Sequence, residues 1–264
     1  ELAGESHGDK RARLAADLRK AEQKAAVITL PDSLCWLLNV RGADVPKNPV
    51  LHGFAVLNDD ARVSLFVNPA KLDEAVRAHL GTEVAVHPVE GFAEALKRLK
   101  GPVRVDKAQA PLAVSEILTG AGVEVAWGDD PCRLPKACKN AAEIAATREE
   151  HLRDGAAMVE FLRWLDEASP SGGLSEISVV QALEGFRRAT NALHDISFDT
   201  ICGAGPNGAI MHYRVTEETN RPVQQNELLL VDSGAQYLDG TTDITRTVAV
   251  GDPGQEAREC YTRV

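Results

Sequence analysis

Two aspartates and a histidine in the last third of the chain combine residue types and spacing that can do chemistry. Asp232 ends the apolar run ELLLVD, and Asp243 begins DITRTVAV 11 residues later. His212 stands 20 residues before Asp232. If the two runs are strands folded back on each other, both carboxylates lie at the mouth of a hairpin. Two unbalanced anions repel there, and neither is readily buried. A divalent cation resolves that conflict. Oxygen donors suit hard ions such as manganese or magnesium, and zinc enters when histidine joins the set. A neutral imidazole facing the pair can hydrogen-bond a substrate oxygen or pass a proton. Thr245, two residues beyond Asp243 and so on the same strand face, carries a hydroxyl able to orient a metal-bound carboxylate. Each residue also has an ordinary reading: the aspartates as strand-end or turn residues, the histidine as a hydrogen-bonded structural residue, the threonine as a strand former. Spacing alone does not decide between the two.

The stretch GAGPNGAIMHY, residues 203–213, also spells G-x-G-x-x-G. A dinucleotide site needs those glycines to open a helix, because phosphate is held by unpaired N–H groups and the dipole at a helix N-terminus. The following AIMHYRVTEETNRP contains β-branched and turn-forming residues and soon meets a proline. It alternates Ile210, His212 and Arg214 with Met211, Tyr213 and Val215, which predicts a strand rather than a crossover helix. The glycines are therefore expected to shape a tight strand-to-strand connection, and a lone G-x-G-x-x-G carries little weight.

The elements that must position these groups fall into two regions. Residues 9–130 alternate helix-period and strand-like segments, the pattern of an α/β layer structure. A helix over HGDKRARLAADLRKAEQKA precedes a strand at AAVITL and a helix at DSLCWLLN; GFAVL and VSLFV read as a hairpin. Next come a helix over PAKLDEAVRAHL, a strand at EVAVHPV, a helix at FAEALKRL, strands at VRVD and VEVAW, and a helix between them at APLAVSEIL. GDDPCRLPKACKN breaks the pattern, which places a boundary at residues 135/136 and gives domains 1–135 and 136–264. The second region opens with a long helix from Ala141 to Ala168, anchored by Ile144, Met158, Phe161, Leu162 and Leu165. A helix at SEISVVQALEGFRRA follows, and then strands including SFDTIC, ELLLVD and DITRTVAV. The fold class is α/β, with α+β character overall.

Bulk properties exclude some partners. The chain of 264 residues is 44% apolar, enough for two cores, and its 39 acidic against 29 basic residues leave a formal charge of -10. That field repels nucleic acid and anionic membrane. Cys35, Cys132, Cys138, Cys202 and Cys260 are odd in number and widely spread, which suggests neither a disulfide framework nor a zinc knuckle. With a charged N-terminal segment and no long apolar run, the expectation is a protein of the cytoplasm with reduced thiols.

SFDTICGAGPNGAIMHY, followed by ELLLVDSGAQYLDGTTDITRTVAVG, resembles the catalytic domain of aminopeptidase P, the Xaa-Pro aminopeptidase branch of the pita-bread metallopeptidases. The likeness includes His212, the DSGAQY-x-DGTTDITRT block and both spacings. KNAAEIAATREEHLRDGAAMVEFLRWL resembles the opening helix of that domain, and LPDSLCWLLNVRGADVPKNPV the creatinase/prolidase-like middle domain of the three-domain cytosolic form. The resemblance implies a creatinase-like α/β domain followed by an incomplete pita-bread catalytic domain. It makes Asp232 a chelating metal ligand and Asp243 a bridge between two divalent ions, usually manganese, with zinc or cobalt as alternatives. His212 would assist substrate binding or proton movement. A hydroxide shared by the metals would attack the carbonyl before proline at the N-terminus of a peptide, in an enzyme that is a homodimer. The family's remaining histidine and two glutamates cannot be assigned, and GQEARECYTRV ends within an amphipathic pattern, so the chain reads as an internal portion of a longer enzyme, inactive by itself. Prolidase, a creatinase-like amide hydrolase, or a non-catalytic pita-bread binding protein are the alternatives.

Overall fold

The computed structural model describes residues 2–264 and divides into two compact units, one ending at Glu143 and one spanning Ile144–Val264. In the first unit, α1 (His7–Lys20) leads to β1 (Ala25–Ile28), α2 (Pro31–Leu38), and the strands β2 (Phe54–Asn58) and β3 (Val63–Phe66). Then come α3 (Glu74–Leu80), β4 (Val84–His87), α4 (Phe92–Lys97), β5 (Val103–Val105), α5 (Leu112–Gly120), β6 (Val125–Trp127) and α6 (Arg133–Ala137). Capping sets several boundaries: Ser6 accepts from the Asp9 amide at the start of α1, and Pro31 opens α2, where its missing N–H costs nothing. The helix expected over PAKLDEAVRAHL divides into a short 3-10 turn at Pro69–Lys71 and α3, because Asp73 caps Val76 and restarts the helix.

The six strands form one mixed sheet in the order β4-β3-β2-β1-β5-β6. The β1–β2 and β2–β3 pairs are antiparallel, and the others are parallel. Side chains alternate across it. Ala26, Ile28, Ala55, Leu57, Val63 and Leu65 pack with Leu14, Leu18, Leu34 and Leu38 of α1 and α2. Ala25, Val27, Val56 and Val105 join Leu96, Val114 and Leu118 of α4 and α5 on the opposite face. A strand covered on both faces must be apolar at every position, which is why AAVI reads as a continuous apolar run.

The second unit contains α7 (Ala141–Ala168), whose first three residues precede Ile144, then α8 (Glu176–Ala189), β7 (Asp195–Ile196) and β8 (Ile201–Ala204). β9 (Glu227–Ser233), β10 (Ala235–Gln236), β11 (Ile244–Val250) and α9 (Gly254–Arg263) complete it. β11-β9-β8 is an antiparallel sheet, while β10 pairs with β7. Met158, Phe161 and Leu165 of α7 and Val179 and Leu183 of α8 cover one sheet face, meeting Cys202, Ala204, Leu229, Val231 and Val250. Ile144 is exposed and anchors nothing in that core.

The expected strand at AIMHYRV does not form. A 3-10 turn over Gly205–Ala209 follows β8, and the chain then runs as turn and irregular backbone. His212 adopts a left-handed φ of 56°, which interrupts strand alternation, and only Tyr213 of its immediate neighbours is buried. The turn packs closely on β8: a Cβ at Gly203 would lie 2.6 Å from the Gly208 nitrogen, so the first glycine serves a close backbone approach. Among the described residues the cysteines are free, and no helix is long and apolar enough to cross a membrane.

Candidate active site

The register of the three-stranded sheet determines which side chains meet. Leu229 and Val231 of β9 point into the helix-covered core, so the alternate residue Asp232 points to the opposite face. Its neighbours across the sheet are Ile201 on β8 and Thr245 on β11. Thr245 Oγ1 donates a 2.8 Å hydrogen bond to Asp232 Oδ1. Asp243 precedes β11 by one residue, and the chain between the two aspartates folds back through β10. This connection is tight: Thr242 Oγ1 accepts from the Ala235 amide, and Thr242 O accepts from Ser197 Oγ.

On this face Asp232, Asp243 and His212 line one cleft of about 380 Å³ with Phe198, Asp199, Ile201 and Arg214. The structure thus brings the three sequence-selected residues to the same cleft. Asp232 is half-buried, and Asp243 and His212 are exposed. His212 arrives from the loop after the 3-10 turn, not from a strand. Asp199 and Arg214 also line the cleft, where they form an ion pair, and neither stands out in the sequence. The signal was faint: an acidic residue inside SFDTIC and an arginine two residues beyond His212.

The donor set fits part of a hard-cation site. Asp199 is neutralised by Arg214, but among the described residues neither Asp232 nor Asp243 enters an ion pair. Two oxygen-donor groups without a cationic partner in one cleft provide anionic charge for a divalent ion. Among the described residues, however, no group of three or more His, Cys, Asp or Glu side chains is arranged to hold a metal ion. Asp232 and Asp243 therefore bring two carboxylate donors to the cleft, fewer than a divalent ion requires.

Two buried polar clusters flank the cleft residues in the second unit. Glu176, the first residue of α8, is fully buried and accepts from the Ala204 amide at 2.7 Å and Tyr213 Oη at 3.0 Å. Burial raises the Tyr213 phenol above its ordinary range, and the nearby Glu176 carboxyl adds to the rise. Arg187 on α8 makes a bidentate pair with Asp154 on α7 at 2.8 and 3.0 Å, and Tyr237 Oη donates to Asp154 Oδ1 at 2.7 Å. Tyr237 lies between the two aspartates in sequence, so the second cluster ties their connection to both helices. Desolvation pushes its phenol well up, and the Asp154 carboxylate pushes it further.

Residues 1–143 match the family described as creatinase/prolidase N-terminal domain, and residues 145–264 match metallopeptidase family M24. The first match covers more than half of the chain, which therefore belongs to the creatinase/prolidase family, with an M24 metallopeptidase segment after that domain. Its relatives carry narrower names. The chain is 37% identical to "Probable Xaa-Pro aminopeptidase P" of Laccaria bicolor, over 100% of its own length and 42% of the relative's. It is 34% identical to "Xaa-Pro aminopeptidase 1" of Dictyostelium discoideum, again over 100% of this chain and 42% of that one. A solved X-prolyl aminopeptidase from Caenorhabditis elegans, described as a cytosolic enzyme with a di-nuclear active site, superposes with a TM-score of 0.89. Its identity is 32%, covering 96% of this chain and 43% of that one. A Bacillus anthracis Xaa-Pro dipeptidase shares the fold at a TM-score of 0.74 and 22% identity, over 97% of this chain and 69% of that one. The chain spans less than half the length of these aminopeptidase relatives.

Proposed function

We propose that this chain contributes to a metal-dependent aminopeptidase that hydrolyses the Xaa-Pro bond at peptide N-termini. The observation that carries this reading is the convergence of Asp232, Asp243 and His212 on one cleft, on the sheet face opposite the core. The M24 match and the named relatives support the same reaction class. Asp232 and Asp243 would hold part of a two-ion site, of manganese or another divalent metal, with the other donors supplied outside these residues. When bound, the ions supply Lewis acidity and activation of water.

The remaining work falls to the chain's own groups. Thr245 holds one oxygen of Asp232 and so restricts the rotation of that carboxylate. His212 presents its imidazole to the cleft, where it can hydrogen-bond the peptide carbonyl or hold a proton during bond cleavage. A dedicated cleft is needed because the bond before proline is a tertiary amide without N–H, and proline restricts the preceding residue to extended geometry.

Metal analysis and peptide cleavage on the full-length protein test the reading. Asp243→Asn should lower bound metal and activity together while the fold persists; wild-type levels of both would reject the ligand role. His212→Ala should depress turnover more than metal content. Cleavage of Arg-Pro-Pro but not of an Xaa-Pro dipeptide separates the aminopeptidase from a prolidase, and an inert full-length protein would favour a binding function.

A further inference from the structure

Glu176 contributes an acceptor-only group at zero exposure, surrounded by donors from the end of β8 and from the chain that carries His212. Its Oε1 accepts from Ala204 N at 2.7 Å and Asn207 Nδ2 at 3.0 Å. Its Oε2 lies 3.0 Å from both Tyr213 Oη and Arg221 N, with Asn207 Nδ2 at 3.3 Å. Asn207 Nδ2 also reaches Tyr213 Oη at 2.9 Å, which closes the set of contacts. These partners bracket His212: Ala204 and Asn207 precede it, Tyr213 follows at once, and Arg221 lies beyond.

None of the five residues in this cluster lines the cleft, whereas His212 does. His212 also occupies the left-handed region at φ 56°, a conformation that persists only where its surroundings over-determine it. The buried carboxylate supplies that constraint from both sides of the histidine. We infer that Glu176 is a positioning residue, acting through Asn207 and Tyr213 to hold His212 at the cleft. Its catalytic consequence rests on the peptidase reading above; its effect on the loop does not.

Glutamine is not a neutral replacement here, because its amide nitrogen would face donors on either side of the carboxylate. The test uses full-length Glu176→Gln and Tyr213→Phe, each alone and combined with His212→Ala. Cleavage of Arg-Pro-Pro and bound manganese are measured together. Glu176→Gln should lower kcat about tenfold or more, with KM and metal content changed by less than about twofold. In the His212→Ala background it should cost less than about twofold, since both changes remove one function. Equal losses in the two backgrounds, or metal lost in proportion to activity, would overturn the inference. Tyr213→Phe applies the same criteria if Glu176→Gln yields no folded protein.

Hydrogen exchange separates this idea from failure of the peptidase reading. If the wild type cleaves neither tripeptide nor dipeptide, that reading fails by itself. Glu176→Gln, or Tyr213→Phe in its place, should still accelerate exchange about tenfold over residues 205–214 while residues 227–233 and 244–250 keep wild-type rates. Unchanged exchange over 205–214, or equal acceleration in all three segments, refutes the positioning role.

Discussion

Arg187→Met puts the buried ion pair of the second unit to a quantitative test. The wild-type guanidinium is fully buried and gives Asp154 two bonds, at 2.8 and 3.0 Å. Methionine fills much of the same volume but donates nothing, so Asp154 would keep only the Tyr237 hydroxyl at 2.7 Å. Leaving one charge of a buried pair without its partner costs roughly 3–5 kcal/mol. Protonation limits that cost: neutralising an ordinary aspartate at pH 7 takes about 4 kcal/mol, but at pH 5 only about 1.5 kcal/mol. The variant's carboxyl would be raised in the folded state relative to the unfolded one. Its deficit is therefore small at low pH and grows as pH rises through the raised value. Urea unfolding, followed through Trp164 beside Phe186, should show about 4 kcal/mol lost at pH 7 and about 2 kcal/mol less than that at pH 5. Asp154→Leu combined with Arg187→Met should recover most of the loss, because an apolar pair leaves no buried charge. A deficit below about 1 kcal/mol at pH 7, or one that is the same at both pH values, would refute the electrostatic account.

Three further perturbations probe the elements around the cleft. Thr245→Val removes the hydroxyl on Asp232 with little change in shape; a metal titration should show affinity reduced about tenfold, and wild-type affinity would mean Thr245 does not tune the carboxylate. Gly234→Ala would place a Cβ 2.1 Å from both Ser197 Oγ and the Thr242 carbonyl, so overpacking should cost about 3 kcal/mol or more in a melt, and an unchanged Tm would contradict this. Glu150→Gln should stabilise the protein more at pH 8 than at pH 4. Desolvation first, and then Asp154 and Asp239, raise its folded-state pKa, so its native advantage is present below the unfolded value and lost as pH rises through the folded one. A Tm difference between variant and wild type that does not change with pH would count against that sign. Glu150 Oε1 is 2.6 Å from His151 Nδ1, but this nitrogen is also 2.8 Å from the Thr147 carbonyl, so the imidazole does not give Glu150 a dedicated proton.

Sequence alone located the elements whose pattern is local. The run AAVI is apolar at each position because β1 is buried on both faces, and α7 spans Ala141–Ala168 as its helical period indicates. Asp232 and Asp243 were visible because each sits at the end of a strong strand pattern. Local pattern misjudged AIMHYRV: alternating residue types look alike in a strand and in a loop pinned at one aromatic residue. Tyr213 is buried by a carboxylate 37 positions earlier, a partner no short window contains.

Only the tertiary structure decided which face of β9 bears Asp232, because one step of register would turn that carboxylate into the core. It also decided that Glu176, Asp154 and Arg187 are buried. In sequence these are single charged residues within helical segments, and nothing near them in the chain marks them as buried. Their burial is tolerable only because complementary groups arrive from distant parts of the chain, and such pairing is a property of the assembled fold.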